Sequence, residues 1–115
     1  MFAAHHRLGA LTAVVDLNGQ QALGHTRDVL DLEPVGDRFR SWGWDAHEVD
    51  GHDATALREV LAGRLPVFSP PRVVLARTVS GKGVRFMEGR VPWRYLPMND
   101  EEYRSACDDV AGMVR

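Results

Sequence analysis

Three short polar segments contain the residue types that could do chemistry in this 115-residue chain. Each follows a predicted strand, and the short apolar, β-branched run over residues 10–15 is typical of parallel strands that are buried on both faces. The segments are residues 16–19 (Asp-Leu-Asn-Gly), 50–53 (Asp-Gly-His-Asp) and 79–83 (Val-Ser-Gly-Lys-Gly). Because ligands of open α/β sheets bind beyond the carboxyl ends of the strands, we expect the function to depend on these segments.

The segment around Asn18 allows two interpretations. The amide oxygen of Asn18 and the backbone carbonyls next to Gly19 are the oxygen ligands that magnesium takes, with phosphates and water completing its coordination shell. An Asn-Gly pair after a strand is also an ordinary turn. Residue types and spacing leave both interpretations open.

The other two segments are equally ambiguous. His52 lies between Asp50 and Asp53, which could form an acid/base cluster, or a plain turn in which Asp53 caps the following helix. The lysine-containing segment 80–83 resembles a phosphate-binding loop but lacks the earlier glycine and the following Ser or Thr of the Walker pattern. Its small residues still permit the backbone to approach a phosphate closely.

The elements around these segments alternate between helix and strand, which predicts an α/β fold with a parallel sheet. A final helix is predicted from the capping box that Asn99 and Glu102 form, and Asp53 is the predicted cap of an earlier one. The predicted elements are a helix to about Leu8 stopped by Gly9, a strand over 10–15, a short helix with Pro34 in its first turn and stopped by Gly43, a strand over 44–49, a helix from Asp53 to near Gly63, a strand over 72–78 and a helix from Asn99 to about Val114.

Composition excludes several classes of protein. The chain is 44% apolar and 26% charged with a net charge of −2, which gives no electrostatic basis for binding nucleic acid or an anionic membrane. A single cysteine, Cys107, excludes an internal disulfide and a multi-thiolate metal site, and we expect it to be buried on the last helix. There is no apolar run of membrane-spanning length and no signal-peptide pattern, so we expect a cytoplasmic protein.

Two further features are predicted to serve packing. Trp93 and Tyr95 lie in a segment bounded by prolines, residues 92–97, which predicts an ordered lid or an interface strap. His5 and His6 are adjacent, so on a helix they point about 100° apart and are poorly placed to chelate one metal ion. No Ser-His-Asp set can be assembled from the chain.

Taken together in order, these segments resemble the transketolase family, and in particular its thiamine diphosphate-binding domain. The nearest likeness is to bacterial transketolases that are split into separate N- and C-terminal subunits. The stretches that carry the resemblance are residues 1–6, 15–21, 31–34, 42–44, 49–53, 76–84, 86–88, 93–95 and 99–103.

The resemblance implies a fold, cofactors and site residues. The fold would be part of a three-layer, parallel-sheet thiamine diphosphate-binding domain, with residues 1–91 in that domain and 92–115 forming a connecting strap and closing helix. Thiamine diphosphate and Mg²⁺ would be the cofactors. Magnesium would be held by the side chain of Asn18 and the carbonyl of Gln20, and the cofactor would contact Asn18, Ser80 and Arg94. No catalytic residue is assigned to this chain.

The resemblance also has departures. Family members usually have histidine where this chain has Arg94, and arginine can hold a phosphate but cannot accept a proton as a neutral base. The family's Gly-Asp-Gly motif, which supplies another magnesium ligand, and its pyrimidine-binding domain are absent from these residues. We therefore expect separate chains to supply them in a hetero-oligomer, with this chain inactive alone. The implied function is transfer of a two-carbon ketol unit, and the alternative is a non-catalytic remnant or regulatory interaction module.

Overall fold

The computed structural model describes residues 1–63 and 66–113. Its elements in chain order are α1 (Phe2–His5), β1 (Thr12–Leu17), β2 (Gln20–Gln21), β3 (Gly24–His25), α2 (Thr26–Val29), α3 (Val35–Ser41), β4 (Asp45–Asp50), α4 (Ala54–Ala62), β5 (Arg72–Arg77), a 3-10 helix (Val91–Arg94) and α5 (Asp100–Met113). None of these helices is long and apolar enough to cross a membrane.

The chain divides into two compact units. One unit, here called the sheet unit, comprises Met1–Leu17 and Asp31–Thr78, and the other, here called the hairpin unit, comprises Asn18–Leu30 and Val79–Arg115. The predicted division at residue 91 stays a prediction.

The sheet unit is built on three parallel strands in the order β1-β5-β4. The last strand in sequence is therefore the central one, and Arg72 at its start pairs with both Thr12 and Asp45. The side chains of Val73, Val74 and Leu75 are fully buried, because β5 has a neighbour on each side and is covered on both faces. The predicted parallel sheet is confirmed, and the uninterrupted apolar run of β5 is the pattern that such burial requires. The burial on both faces predicted for the first strand is wrong, because β1 lies at an edge of the sheet and its residues are half-buried or exposed.

Two predicted boundaries near the N-terminus are wrong. The first strand covers Thr12–Leu17 rather than 10–15, because Asp16 and Leu17, predicted to be a turn, pair with the central strand. The first helix ends at His5 rather than near Leu8. Arg7 takes a positive φ of 50°, a conformation that no right-handed helix can contain, so the helix stops before Gly9.

The predicted start of α4 and the predicted end of α3 are confirmed. The Oδ1 atom of Asp53 accepts hydrogen bonds from the amides of Thr55 and Ala56, at 2.8 and 3.1 Å, and so begins α4. Gly43 takes a φ of +85° just after α3, as a helix stop does. Pro34 precedes α3 as its N-cap instead of lying in its first turn.

The hairpin unit contains the two-residue strands β2 and β3, which pair antiparallel and which the sequence did not predict. Its long helix α5 begins with the predicted capping box: Asn99 Oδ1 accepts from the amides of Glu101 and Glu102, and Glu102 Oε2 accepts from the amide of Asn99. Cys107 is exposed, so its predicted burial is wrong; the buried residue of α5 is Ala106. The predicted end of this helix at Val114 lies outside the described residues.

Candidate functional site

The Asn18 turn opens the hairpin unit and is fixed by its own backbone. Gly19 has a φ of +70°, which favours glycine, and its carbonyl accepts a hydrogen bond from the amide of Thr26 at 2.9 Å. The amide of Gln20 donates to Oδ1 of Asn18 at 3.0 Å. This Asx turn fixes the side-chain oxygen of Asn18 at the start of the β2–β3 hairpin.

A second segment of the same unit positions Arg94. The 3-10 helix Val91–Arg94 begins with Pro92 in its first turn, and the carbonyl of Pro92 accepts hydrogen bonds from the amides of Tyr95 and Leu96. The ring of Trp93 packs edge-on against Phe86, with 5.0 Å between ring centroids. The packing predicted for Trp93 is confirmed, whereas Tyr95 is 62% exposed, and a lid or strap role of residues 92–97 stays a prediction. The 3-10 helix presents the Arg94 side chain at a defined place.

Arg94 meets the Asn18 turn through one nitrogen atom. Its Nη2 donates to Oδ1 of Asn18 at 3.1 Å and to the backbone carbonyl of Gln20 at 3.0 Å. These are the two oxygen atoms that the family resemblance assigns to magnesium. Of the four predicted site residues, the structure thus brings three together in one hydrogen-bonded group, Asn18, Gln20 and Arg94.

The same group tests whether a divalent cation fits. Two neutral oxygens are suitable magnesium ligands. The side-chain Oε1 atom of Gln20 is a further acceptor in this turn, since it is buried and has no hydrogen-bond partner among the described residues. Both assigned ligand atoms, however, already bind a guanidinium cation. Near a protein surface, two unit charges about 4 Å apart repel by about 4 kcal/mol, and a divalent ion doubles this cost. With Arg94 where it lies, a magnesium ion does not fit on these atoms.

No carboxylate-rich alternative is present in the described part of the chain. Across residues 1–63 and 66–113, no group of three or more His, Cys, Asp or Glu side chains is placed to hold a metal ion. The Asn18 turn is consequently the only predicted cation site to evaluate in these residues.

The segment that contains Ser80 folds on itself. The carbonyl of Ser80 accepts a hydrogen bond from the amide of Gly89, and the amide of Gly83 donates to Oε1 of Glu88, both at 2.9 Å. Gly81 has a φ of +73°, and a Cβ atom there would lie 2.8 Å from Cβ of Met87. The absent side chain therefore lets the loop pack against Met87, and the contact of Ser80 with a cofactor stays a prediction.

The Asp50–Asp53 segment uses its carboxylates for backbone structure. Asp50 Oδ1 accepts from the amide of His52 at 2.9 Å, and Asp53 is the cap of α4 described above. Gly51 is needed because a Cβ atom there would collide with Thr78. The turn-and-cap interpretation accounts for both carboxylates, since each accepts backbone N–H groups.

Ion pairs with arginine lower the pKa of one carboxylate in each unit. In the sheet unit, Arg77 lies between Glu33 at 2.8 Å and Glu48 at 3.0 Å, and its hydrogen bond lowers the pKa of Glu33. In the hairpin unit, the side chain of Arg85 together with its backbone amide lowers the pKa of Asp109.

A short hydrogen bond from the Thr78 hydroxyl to Asp16 links the ends of β1 and β5. Sequence reasoning did not predict this contact. The contact could have been predicted from the parallel register. Leu17 pairs with Arg77, so the polar residues Asp16 and Thr78 both lie at the carboxyl ends of their strands.

Comparison with known proteins assigns the chain to a family. The family model described as "Transketolase, thiamine diphosphate binding domain" matches residues 1–110. The chain belongs to the transketolase family. It is 31% identical over 110 residues to the 6-deoxy-6-sulfo-D-fructose transketolase subunit of Clostridium sp. (strain MSTE9). It is 34% identical over 108 residues to an apulose-4-phosphate transketolase subunit of Actinobacillus succinogenes.

The coverage of these transketolase-family matches is unequal. They span 96% and 94% of this chain but only 40% and 39% of the relatives' own lengths. The solved transketolase of Campylobacter jejuni superposes with a TM-score of 0.84 at 23% identity over 96% of this chain, and 17% of that protein is covered. The α/β fold with a parallel sheet is therefore that of one part of a transketolase.

Proposed function

We propose that this chain is a component of a transketolase-like enzyme that uses thiamine diphosphate to transfer a two-carbon ketol unit. Support comes from the family match over residues 1–110 and from two relatives whose names describe them as transketolase subunits. Those names differ in their sugar substrates. The donor of this chain therefore stays open, and its acceptor is either an aldose phosphate or a less usual acceptor.

The observation that carries the proposal is the Asn18–Gln20–Arg94 group. Thiamine diphosphate, when bound, supplies the carbanion chemistry of ketol transfer. The role of this chain is to hold the diphosphate end: Arg94 brings a permanent positive charge and a planar set of donors, and Asn18 and Gln20 fix the guanidinium in place. Ser80 is proposed to lie against the same cofactor.

Magnesium belongs to the proposal in a restricted form. The predicted ligands are Asn18 Oδ1 and the Gln20 carbonyl, and both bind Arg94. Magnesium ligation by these atoms therefore requires Arg94 to move away first. No step of the proposed function depends on that rearrangement.

Partner chains are proposed because two relatives are named as transketolase subunits. The 115 residues contain no Gly-Asp-Gly motif, and the chain spans about 40% of the length of the curated relatives cited above. We propose that separate chains supply this motif and the pyrimidine-binding domain, that the active form is a hetero-oligomer, and that this chain alone is inactive. A cytoplasmic location stays a prediction of the same kind.

A second candidate function is a non-catalytic interaction module. The observation that favours it is Arg94 itself, since a guanidinium stays protonated and cannot accept a proton as a neutral histidine does. The two candidates differ in whether the assembled protein binds thiamine diphosphate.

The test is calorimetric. The chain is purified with its partners from the native source and titrated with thiamine diphosphate in the presence of MgCl₂. We expect binding, and we expect Asn18→Ala to weaken it about tenfold or more, because the substitution removes one of the two oxygens that hold Arg94 in place. Asn99→Ala, which removes an amide from the cap of α5 in the same unit, is the matched control and should leave affinity unchanged.

The outcomes separate the candidates. No binding by the native complex would contradict the enzyme-component proposal and leave the interaction module. Binding that Asn18→Ala leaves unchanged would contradict the assignment of Asn18 to the cofactor site.

A further inference from the structure

We propose that the guanidinium of Arg94 is itself the cation of the diphosphate-binding site, taking the place of a bound divalent metal ion, so that diphosphate binding by this protein does not require magnesium. This inference rests on the proposed function and specifies how its cofactor site works.

The first step of the argument is the placement of Nη2. One nitrogen bridges two oxygens that lie two residues apart in the turn, at 3.1 Å from Asn18 Oδ1 and 3.0 Å from the Gln20 carbonyl. A metal ion bound by this turn would have to bridge the same two atoms. The guanidinium thus satisfies the acceptors that would otherwise attract a cation, and its charge repels a second one.

The second step concerns the donors that remain. A guanidinium has five N–H groups, and the two on Nη2 account for the contacts with the turn. The structure gives Nε and Nη1 no hydrogen-bond partner among the described residues, and the Arg94 side chain is exposed. The Nε–H group and the two N–H groups of Nη1 are therefore left to donate charge-assisted hydrogen bonds to phosphate oxygens.

The third step concerns how rigidly Arg94 and the Asn18 turn are held. Arg94 ends a 3-10 helix, Trp93 beside it packs against Phe86, and Tyr95 after it donates its amide to Pro92. The turn on the other side is held by the Gln20 amide on Asn18 Oδ1 and the Thr26 amide on the Gly19 carbonyl. A cation fixed from both sides is in place before a ligand arrives, which lowers the entropic cost of binding an anion.

The alternative for the same geometry is a displaceable latch, in which Arg94 leaves when a metal ion and a diphosphate arrive. The two differ in one measurable property. A latch makes diphosphate binding depend on the metal ion, whereas a resident cation makes binding independent of it.

The experiment uses the native complex and two probes, thiamine diphosphate and inorganic pyrophosphate, titrated by calorimetry in excess EDTA and in MgCl₂. For the natural protein we expect Kd to change by less than about threefold between the two conditions. Arg94→His, measured near pH 8 where the imidazole is neutral, should bind about tenfold or more weakly in EDTA. Loss of a charge-assisted hydrogen bond corresponds to roughly this factor.

Two further variants serve as controls. Arg94→Lys keeps a charge but lacks the planar set of donors, so we expect its EDTA affinity to lie between those of the natural protein and Arg94→His. Arg90→Ala removes another exposed arginine, four residues earlier, whose backbone alone makes described hydrogen bonds, and it should behave like the natural protein. Thermal unfolding of each variant checks that it is folded.

Each outcome is decisive. If the natural protein binds both probes only with MgCl₂, the resident-cation inference is overturned while the proposed function stands. If neither probe binds in either condition, both are overturned. If Arg94→His binds in EDTA as tightly as the natural protein, Arg94 is not the cation.

Discussion

The sheet unit and the hairpin unit are held together by different kinds of contact. The sheet unit contains three fully buried apolar side chains in a row, Val73, Val74 and Leu75. Among the described residues of the hairpin unit, the buried apolar side chains are those of Val84 and Ala106, and each residue retains 9% exposure. Gln20, at 7% exposure, is a polar member of the interior of this unit. Its shape depends on the Asx turn, the capping box and the Arg94 contacts.

This difference separates stability from function. Burial of apolar area supplies most of the free energy of folding, so the sheet unit is the stable scaffold. Hydrogen bonds contribute less net stability but fix atoms in particular places. The predicted cofactor residues Asn18, Ser80 and Arg94 all lie in the unit whose geometry is set by polar contacts.

The largest expected change in stability comes from a substitution at the centre of the sheet. Leu75→Ala removes a fully buried side chain and should lower the free energy of unfolding by about 2–5 kcal/mol, since a cavity remains. Leu23→Ala, at a leucine of the hairpin unit that is 82% exposed, is the control and should change it by less than about 0.5 kcal/mol. Urea denaturation of the native complex measures both, and equal effects would contradict the assignment of the core to β5.

An intermediate effect is expected within the hairpin unit. Gly81 and Gly89 both have positive φ, 73° and 66°, but a Cβ atom would clash with Met87 only at Gly81, with nothing within 4 Å at Gly89. Gly89→Ala should cost about 1 kcal/mol of unfolding free energy for backbone strain, and Gly81→Ala about 1–3 kcal/mol more for the clash. Thermal unfolding compares them. Identical melting temperatures would show that the loop does not pack on Met87.

The smallest expected effect is a dependence of the melting temperature on pH, to which both units contribute. The pKa of Glu33 in the sheet unit and of Asp109 in the hairpin unit is lowered in the folded state by hydrogen bonds from Arg77 and Arg85. Each carboxylate therefore stabilises the fold fully above its ordinary pKa, 4.5 and 3.8 respectively, and this contribution disappears as pH falls through the lower folded value. The melting temperature should fall on acidification below about pH 4.

Substitution of each carboxylate by its isosteric amide measures the contribution of each unit separately. Glu33→Gln and Asp109→Asn should each flatten part of the acid limb of melting temperature against pH, and the effects should add because the groups have no partner in common. Both pairs reach solvent, so the effects are small and weaken in salt. A limb unchanged by both substitutions would show that neither pair contributes.

Features with local causes were predictable from the sequence. Asp53 and Asn99 cap their helices because a short side-chain oxygen reaches amides two and three residues ahead, and this depends on spacing alone. The central strand of the sheet was predictable for a similar reason: a strand buried on both faces requires a continuous apolar run, as β5 has.

Features that depend on distant partners were not predictable. The β2–β3 hairpin has polar two-residue strands with no alternating pattern to detect. Cys107 is exposed because Ala106 takes the buried position in that turn of α5. The residue type alone does not show which of two adjacent small apolar residues faces the interior. The contact of Arg94 with Asn18 joins residues 76 positions apart, which no local rule addresses.

Arg72, which begins the central strand, also ends a helix. Only 8% of Arg72 is exposed, and its Nη1 donates to the carbonyls of Val60 and Gly63 at 2.5 and 3.4 Å, where α4 finishes. A positive charge there offsets the negative end of the helix dipole. The last turn of α4 cannot unwind without leaving a buried guanidinium unpaired. We therefore expect this turn and β5 to open together in hydrogen exchange, as one cooperative unit rather than as a fraying helix end.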